Sequence, residues 1–210
     1  MLIVEGTDLV GKTTLCHRLL EQVRKTELGD GHVYRHFTRL PKGFRFPQDY
    51  LTHAHRRTVQ DRFHMSEIAY AFARGQDCSP LCAEKYRVVD GYLRLLPAVT
   101  VVVAAKPEVL EARYQQHVAA GREEMYDILT VLNANQAFCY LMKGNFQFGD
   151  ETYSPDCDVT YYVEKEDQWP AEDAELVEKV VELYRNRQAL HWLTMNETRG
   201  TFARPFGWPA

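Results

Sequence analysis

Two glycines, a lysine and two threonines follow a short apolar run at the start of the chain, MLIVEGTDLVGKTTL. Gly6 to Thr13 fits G-x-x-x-x-G-K-[ST], with a strand-like segment before it and a helical pattern after it. Each residue type has a use in holding phosphate. Glycines let the backbone wrap closely around the anion, and N–H groups converge at a helix N-terminus, where negative charge is favoured. Lys12 is placed to reach β- and γ-phosphates, and the Thr13 hydroxyl to help hold Mg²⁺. The run Gly6, Thr7, Asp8, Leu9, Val10, Gly11, Lys12, Thr13 and Thr14 is therefore a candidate nucleoside-triphosphate loop. The plain alternative is a glycine turn that only joins a strand to a helix.

A second constellation is TVQDRFHMSEIAY. Asp61 ends a predicted strand, and the carboxyl ends of strands are where open α/β sheets gather their ligands. A carboxylate there can orient Mg²⁺-bound water or take a proton from a hydroxyl. Arg62 would point a fixed fork of donors at phosphate. A structural salt bridge accounts equally for an isolated Asp-Arg pair.

Strands alternating with helices are needed to place these groups on one edge. Leu2–Glu5 reads as a buried strand, and Leu15, Leu19, Leu20 and Val23 mark a helix over Thr13–Lys25. Strands are predicted over His32–Phe37 and Thr58–Asp61, and a helix through SEIAYAFARG stops at Gly75. AVTVVVAA does not alternate, so it is a strand buried on both faces. KPEVLEARYQQH is a helix with Pro107 near its first position, where a missing N–H costs nothing. A helix over Asp127–Met142, a glycine- and aromatic-containing loop, the strand VTYYV and an amphipathic helix over about Ala171–Leu190 complete the chain. Gln76–Leu96 yields no clear pattern. The alternation implies βαβ units around a largely parallel sheet in one α/β domain over 1–210.

Composition excludes several classes. The chain has 210 residues, 45% hydrophobic and 26% charged, which suits a globular domain and not a disordered or fibrous one. A net charge of -4 gives no global reason to expect nucleic acid, so any basic surface must be local. No apolar run approaches a membrane span, and glycine and aspartate interrupt the start where a signal peptide would need an apolar stretch. Five cysteines at irregular spacing, with Cys78 and Cys82 the only close pair, read as free thiols in a reducing cytoplasm.

EGTDLVGKTT, DRFHMSEIAYAFARG and LLPAVTVVVAAKPEVLEAR together resemble the thymidylate kinase family of P-loop kinases, over roughly the first two thirds of the chain. The resemblance implies a three-layer P-loop NTPase-type fold with a five-stranded parallel sheet flanked by helices. It also implies ATP and Mg²⁺ as donor, and a pyrimidine deoxynucleotide as acceptor. By position, Asp8 would face the acceptor sugar or hydroxyl, Asp61 and Arg62 would line the transfer centre, and Phe63 and Tyr70 would enclose the base. Asp61 would also serve Mg²⁺, through water or directly. The lid would occupy about 113–127, making Arg113 and Arg122 candidates for stabilising the moving phosphoryl group. Arg113 has an alternative as a helix-surface ion pair.

Two departures stand out. Glu67 lies where a small residue or an asparagine is expected, as a base contact or simply as an exposed helix glutamate. The segment between the second and third strands, 38–57, is shorter than in the family. From Arg35 to Arg62 there are seven Lys/Arg against Asp49 and Asp61, interleaved with histidines and with Phe37, Phe44, Phe46 and Tyr50. Such a mixture suits a backbone-tracking groove with stacking positions, Arg57 among its contacts, or a solvated charged loop. A short, basic acceptor side resembles a phage branch of the family, whose members phosphorylate the hydroxymethyl group of 5-hydroxymethyl-deoxyuridine in DNA. The expected acceptor is therefore DNA carrying 5-hydroxymethyluracil, with a free pyrimidine deoxynucleotide such as dTMP as the alternative; a phage-encoded protein would act in the host cytoplasm. A guanine-nucleotide switch is disfavoured, because Glu164-Lys-Glu-Asp167 lacks the asparagine of N-K-x-D. The aromatic tail, 194–210, is expected to lie across a groove of its own domain or to meet a base or partner.

Overall fold

A computed structural model of the protein describes residues 1–28, 31–37, 47–76, 83–122 and 126–202, with the backbone alone at 49 and 196–202. Five strands form one parallel sheet in the order β2-β3-β1-β4-β7. They are β1 (Leu2–Gly6), β2 (Val33–His36), β3 (Thr58–Asp61), β4 (Val99–Ala105) and β7 (Val159–Val163). The α/β architecture expected from the sequence is thus present, with helices packed around the sheet. β1 lies at the centre and registers Leu2 against Val59 on one side and Val99 on the other. Every residue of β1 and β4 is buried, which explains why both strands are apolar apart from Glu5 and Thr100.

Helix α1 (Lys12–Arg24) buries Leu15, Leu19, Leu20 and Val23, the stripe expected from its spacing. α5 (Pro107–Ala119) begins at its proline. α6 (Ile128–Met142) is capped by Asp127, whose carboxylate accepts from Thr130 N at 2.9 Å. The Asn135 amide of α6 bonds both the N–H (2.9 Å) and the C=O (2.8 Å) of Ala105, securing α6 to the end of β4.

Four features differ from the sequence expectation. The unclear segment contains α4 (Ala83–Leu95), and the basic segment contains the single turn and a half of α2 (Gln48–His53). The loop after α6 contains a hairpin, β5 (Phe146–Phe148) and β6 (Glu151–Tyr153), paired antiparallel. The last helix, α7 (Ala174–Phe202), runs about twelve residues beyond its expected end, so 194–202 is helix instead of tail. α3 spans His64–Ala73. The expected contributions of 38–46, of Cys78 and Cys82, of 123–125 and of 203–210 lie outside the described residues. No described helix is long and apolar enough to cross a membrane.

Candidate functional site

β1, β3 and β2 all end on one edge of the sheet, and the groups singled out by the motifs gather there. β1 delivers Gly6 into a loop that enters α1. Gly6 has φ 150°, and a Cβ on it would stand 2.3 Å from the Val103 carbonyl oxygen of the neighbouring strand. Only glycine permits that approach. Leu9 (φ 68°) and Gly11 (φ 89°) also take left-handed conformations, which turn the chain between β1 and α1. Thr7 anchors it by donating to the Val131 carbonyl at 3.1 Å, and Val10 is buried in the main core. Thr13 and Thr14 face solvent at the first turn of α1.

Lys12 folds back over this loop. Its ammonium donates to the Thr7 carbonyl and lies 3.8 Å from Asp8 Oδ1. Burial, reinforced by the Arg62 charge, draws its pKa below the ordinary lysine range. An anion seated in the loop would favour the charged form again.

Asp61 is fully buried at the end of β3. Its Oδ2 accepts from Thr13 Oγ1 at 2.5 Å and from Tyr34 OH at 3.2 Å, and lies 3.2 Å from His36 Nδ1. Burial pushes the pKa of this carboxyl up, but Lys12, Thr13 and His36 outweigh it and hold the pKa below the usual aspartate value. Its other oxygen, Oδ1, is buried without a hydrogen-bond partner. A carboxylate oxygen left open beside a threonine hydroxyl suits Mg²⁺, which typically takes one or two carboxylates together with substrate phosphates and water. Among the described residues no cluster of three or more His, Cys, Asp or Glu could hold a metal on its own.

Asp8 is drawn into a second cluster. The Arg62 guanidinium pairs with Oδ1, and Tyr70 OH donates to Oδ2 at 2.9 Å while accepting from the Asp8 backbone N–H at 3.1 Å. Burial raises the Asp8 pKa, yet Lys12 and Arg62 together pull it below its ordinary value. Arg62 itself stacks over the Tyr70 ring, 5.0 Å from its centroid. Its backbone sits at φ 71°, uncommon for a residue with a side chain, and is pinned by an N–H bond to the Val4 carbonyl at 2.9 Å.

The other motif residues are distributed differently. Phe63 is buried, edge-on to Phe37 and Tyr50, as part of the core beneath the site. Glu67 lies half-buried one turn into α3. Arg113 is 1% exposed and spends its donors on backbone carbonyls: Leu9 (2.9 Å), Glu166 (2.8 Å) and Gln168 (2.7 Å). Its guanidinium also lies 3.7 Å from the Trp169 ring. It is a cross-brace behind the phosphate loop instead of a lid residue. Arg122 is exposed just beyond α5, its N–H bonded to the His117 carbonyl. Arg57 is not brought to this edge; it precedes β3 and lies at the opposite, amino end of the sheet.

Three participants carry no motif signal. Glu5, fully buried, accepts from Met65 N (2.9 Å) and Ser66 Oγ (2.5 Å) and so caps α3 from the central strand. Tyr34 and His36 reach Asp61 from the edge strand β2. The two-residue alternation of β2 puts them on one face, but the partner strand has to be known before that face acquires a meaning. No protein-family model, curated protein or solved structure matches the chain.

Proposed function

We propose that the protein is an ATP-dependent phosphotransferase that moves the γ-phosphoryl group of ATP to the hydroxyl of a thymine-like deoxynucleotide. The favoured acceptor is the 5-hydroxymethyl group of 5-hydroxymethyl-deoxyuridine in DNA. The observation that carries this reading is the convergence of Lys12, Thr13, Asp61, Asp8 and Arg62 around the glycine loop at the carboxyl edge of the sheet. The sequence resemblance to thymidylate kinases supplies the acceptor class. A phage-encoded protein with free cysteines would act in the host cytoplasm.

In this mechanism the amides of 6–13 hold the triphosphate, and Lys12 exchanges the Thr7 carbonyl for phosphate oxygens. Thr13 and Asp61 would hold Mg²⁺, which neutralises charge on the β- and γ-phosphates when bound. Asp8 and Asp61 are both kept ionised and act as hydrogen-bond acceptors for the incoming hydroxyl. Arg62, aimed by Asp8 and Tyr70, compensates charge on the transferred group. The acceptor oxygen forms a bond to the γ-phosphorus as the bond to the bridging oxygen of ADP breaks. The hydroxyl proton passes to a carboxylate or to solvent. Arg122, exposed at the end of α5, would contribute charge from the proposed lid.

The decisive experiment supplies γ-labelled ATP and Mg²⁺ with three acceptors in parallel: hydroxymethyluracil-containing DNA, hydroxymethyl-dUMP and dTMP. Label is expected on the DNA, and Lys12→Ala is expected to remove it, by a factor of about 10² or more. Label on the free monophosphates alone would make the protein a monophosphate kinase. Nucleotide binding without transfer to any acceptor would make it a non-catalytic switch.

A further inference from the structure

The sheet has a second working edge. At its amino end, a groove of about 720 Å³ runs between the turn before β3 and the distal half of α7. Arg56 and Arg57 form one wall, and Tyr184, Arg185, His191 and Trp192 form the other. Among the described residues, Glu27 is the one carboxylate on its walls, and Arg185 neutralises it at 2.8 Å. The groove is therefore positive in a protein of net charge -4.

Its basic wall is rigidly mounted. The Arg56 carbonyl accepts from the Met1 amine at 2.8 Å and from Tyr184 OH at 3.1 Å, so the 56–57 turn is bonded both to the start of β1 and to α7. Both arginines are exposed on that anchored backbone. On the opposite wall Trp192 is 66% exposed, so most of its indole is accessible to a ligand. His191 Nε2 is buried without a hydrogen-bond partner. A basic wall facing an open aromatic ring is the chemistry of a polyanion that also carries stackable bases.

The geometry points to a binding groove for single-stranded nucleic acid, in which Arg56 and Arg57 contact backbone phosphates and Trp192 stacks on an unpaired base. A duplex keeps its base faces covered, so the exposed indole selects a single strand. Charge complementarity makes nucleic acid a better occupant than a second copy of this acidic chain. The groove is separated from the phosphate loop by the length of β3, about 13 Å for its four residues. The proposal does not depend on phosphoryl transfer, because nothing in the groove belongs to the site at the other edge.

The test uses the full chain and a fluorescein-labelled dT12 oligonucleotide, followed by anisotropy at 50 and 200 mM NaCl, with a 12-base-pair duplex for comparison. The single strand is expected to bind more tightly than the duplex. Arg56→Ala should weaken it about tenfold and lower the salt slope by close to one. Trp192→Ala should weaken it about tenfold at both salt concentrations, and Trp192→Phe should restore most of that loss. Lys12→Ala should leave oligonucleotide binding unchanged, and excess ATP should not displace the strand, which separates this groove from the phosphate loop. Circular dichroism spectra and urea unfolding midpoints equal to those of the wild-type protein establish that the Arg56 and Trp192 variants fold. Absence of dT12 binding at 50 mM salt would overturn the proposal, as would affinity unchanged in both alanine variants, or equal binding of duplex and single strand. Sedimentation showing a dimer that Trp192→Ala dissolves and dT12 does not would assign the surface to a second copy instead.

Discussion

Arg62 holds a strained backbone in order to aim a side chain. At φ 71° any side chain costs on the order of 1 kcal/mol relative to glycine. Arg62→Gly and Arg62→Ala both remove the guanidinium from Asp8, but only the alanine variant keeps the strain. The glycine variant is therefore expected to be the more stable of the two by about 1 kcal/mol in urea unfolding, while both lose phosphoryl transfer alike. Equal stabilities would mean that the backbone conformation carries no cost. Tyr70 works on the same cluster, through one hydroxyl that donates to Asp8 Oδ2 and accepts from the Asp8 N–H. Tyr70→Phe leaves both Asp8 groups short of a partner and keeps the ring beneath Arg62. A rate loss of about tenfold in the labelled-ATP assay is expected, matching one or two ordinary hydrogen bonds. Thr13, Asp61 and Lys12 were legible in the sequence because a fixed spacing ties them to a fixed chemistry. Tyr34 and His36 were not, since nothing local announces that the edge strand will lie beside β3.

Glu5 shows how one element can determine the placement of another. Its carboxylate, on the central strand, receives Met65 N and Ser66 Oγ and so holds the start of α3, which carries Tyr70 to Asp8. Burial, the leading influence, raises its pKa above the ordinary glutamate value in spite of His64 and these hydrogen bonds. A carboxyl whose pKa is higher folded than unfolded binds more protons in the folded state. Its contribution to stability is then full below the unfolded value of about 4.5 and declines as pH rises through the folded value. Glu5→Gln cannot ionise, can still accept from Met65 N, and can donate to the Ser66 hydroxyl. Unfolding midpoints measured from pH 4 to 8 should therefore fall less steeply for Glu5→Gln than for the wild-type protein. A steeper fall would reverse the sign of the argument. Gly6 constrains the same junction, because a Cβ there meets the Val103 carbonyl at 2.3 Å. Gly6→Ala should cost about 3 kcal/mol or more and abolish ATP binding, measured by urea unfolding and calorimetry. The apolar runs of β1 and β4 revealed these strands in advance, whereas the β5–β6 hairpin was hidden. Its strands are three residues each, too short for alternation to register, and the turn between them looks like any glycine loop.

Across the whole molecule, the parallel sheet separates two edges with opposite needs. The carboxyl edge gathers cations and carboxylates around one loop, and the amino edge presents exposed arginines and an exposed indole. Alternation of strands and helices made the sheet itself legible, but the groove joins residues 27, 56, 184 and 192, and no window of sequence contains that proximity. Arg113 illustrates the same limit. Its place at the expected lid made it a candidate for stabilising the moving phosphoryl group or for a helix-surface ion pair, yet it is buried and binds three carbonyls from two loops. Through Leu9 it fixes the phosphate loop, and through Glu166, Gln168 and Trp169 it fixes the chain between β7 and α7. Trp169 lies close enough to Gly11 that a Cβ there would touch its ring at 3.0 Å, so this brace also backs the entrance to α1. Arg113→Lys preserves charge but not the planar fork, and an ammonium cannot reach three carbonyls while stacking on an indole. Buried carbonyls left unpaired should lower global stability by about 2–4 kcal/mol. If the loop holds ATP as proposed, ATP affinity should fall in the same variant, because that loop loses its rear support. A lid cation would behave otherwise: Arg113→Lys would slow transfer and leave both the unfolding midpoint and ATP binding where they were.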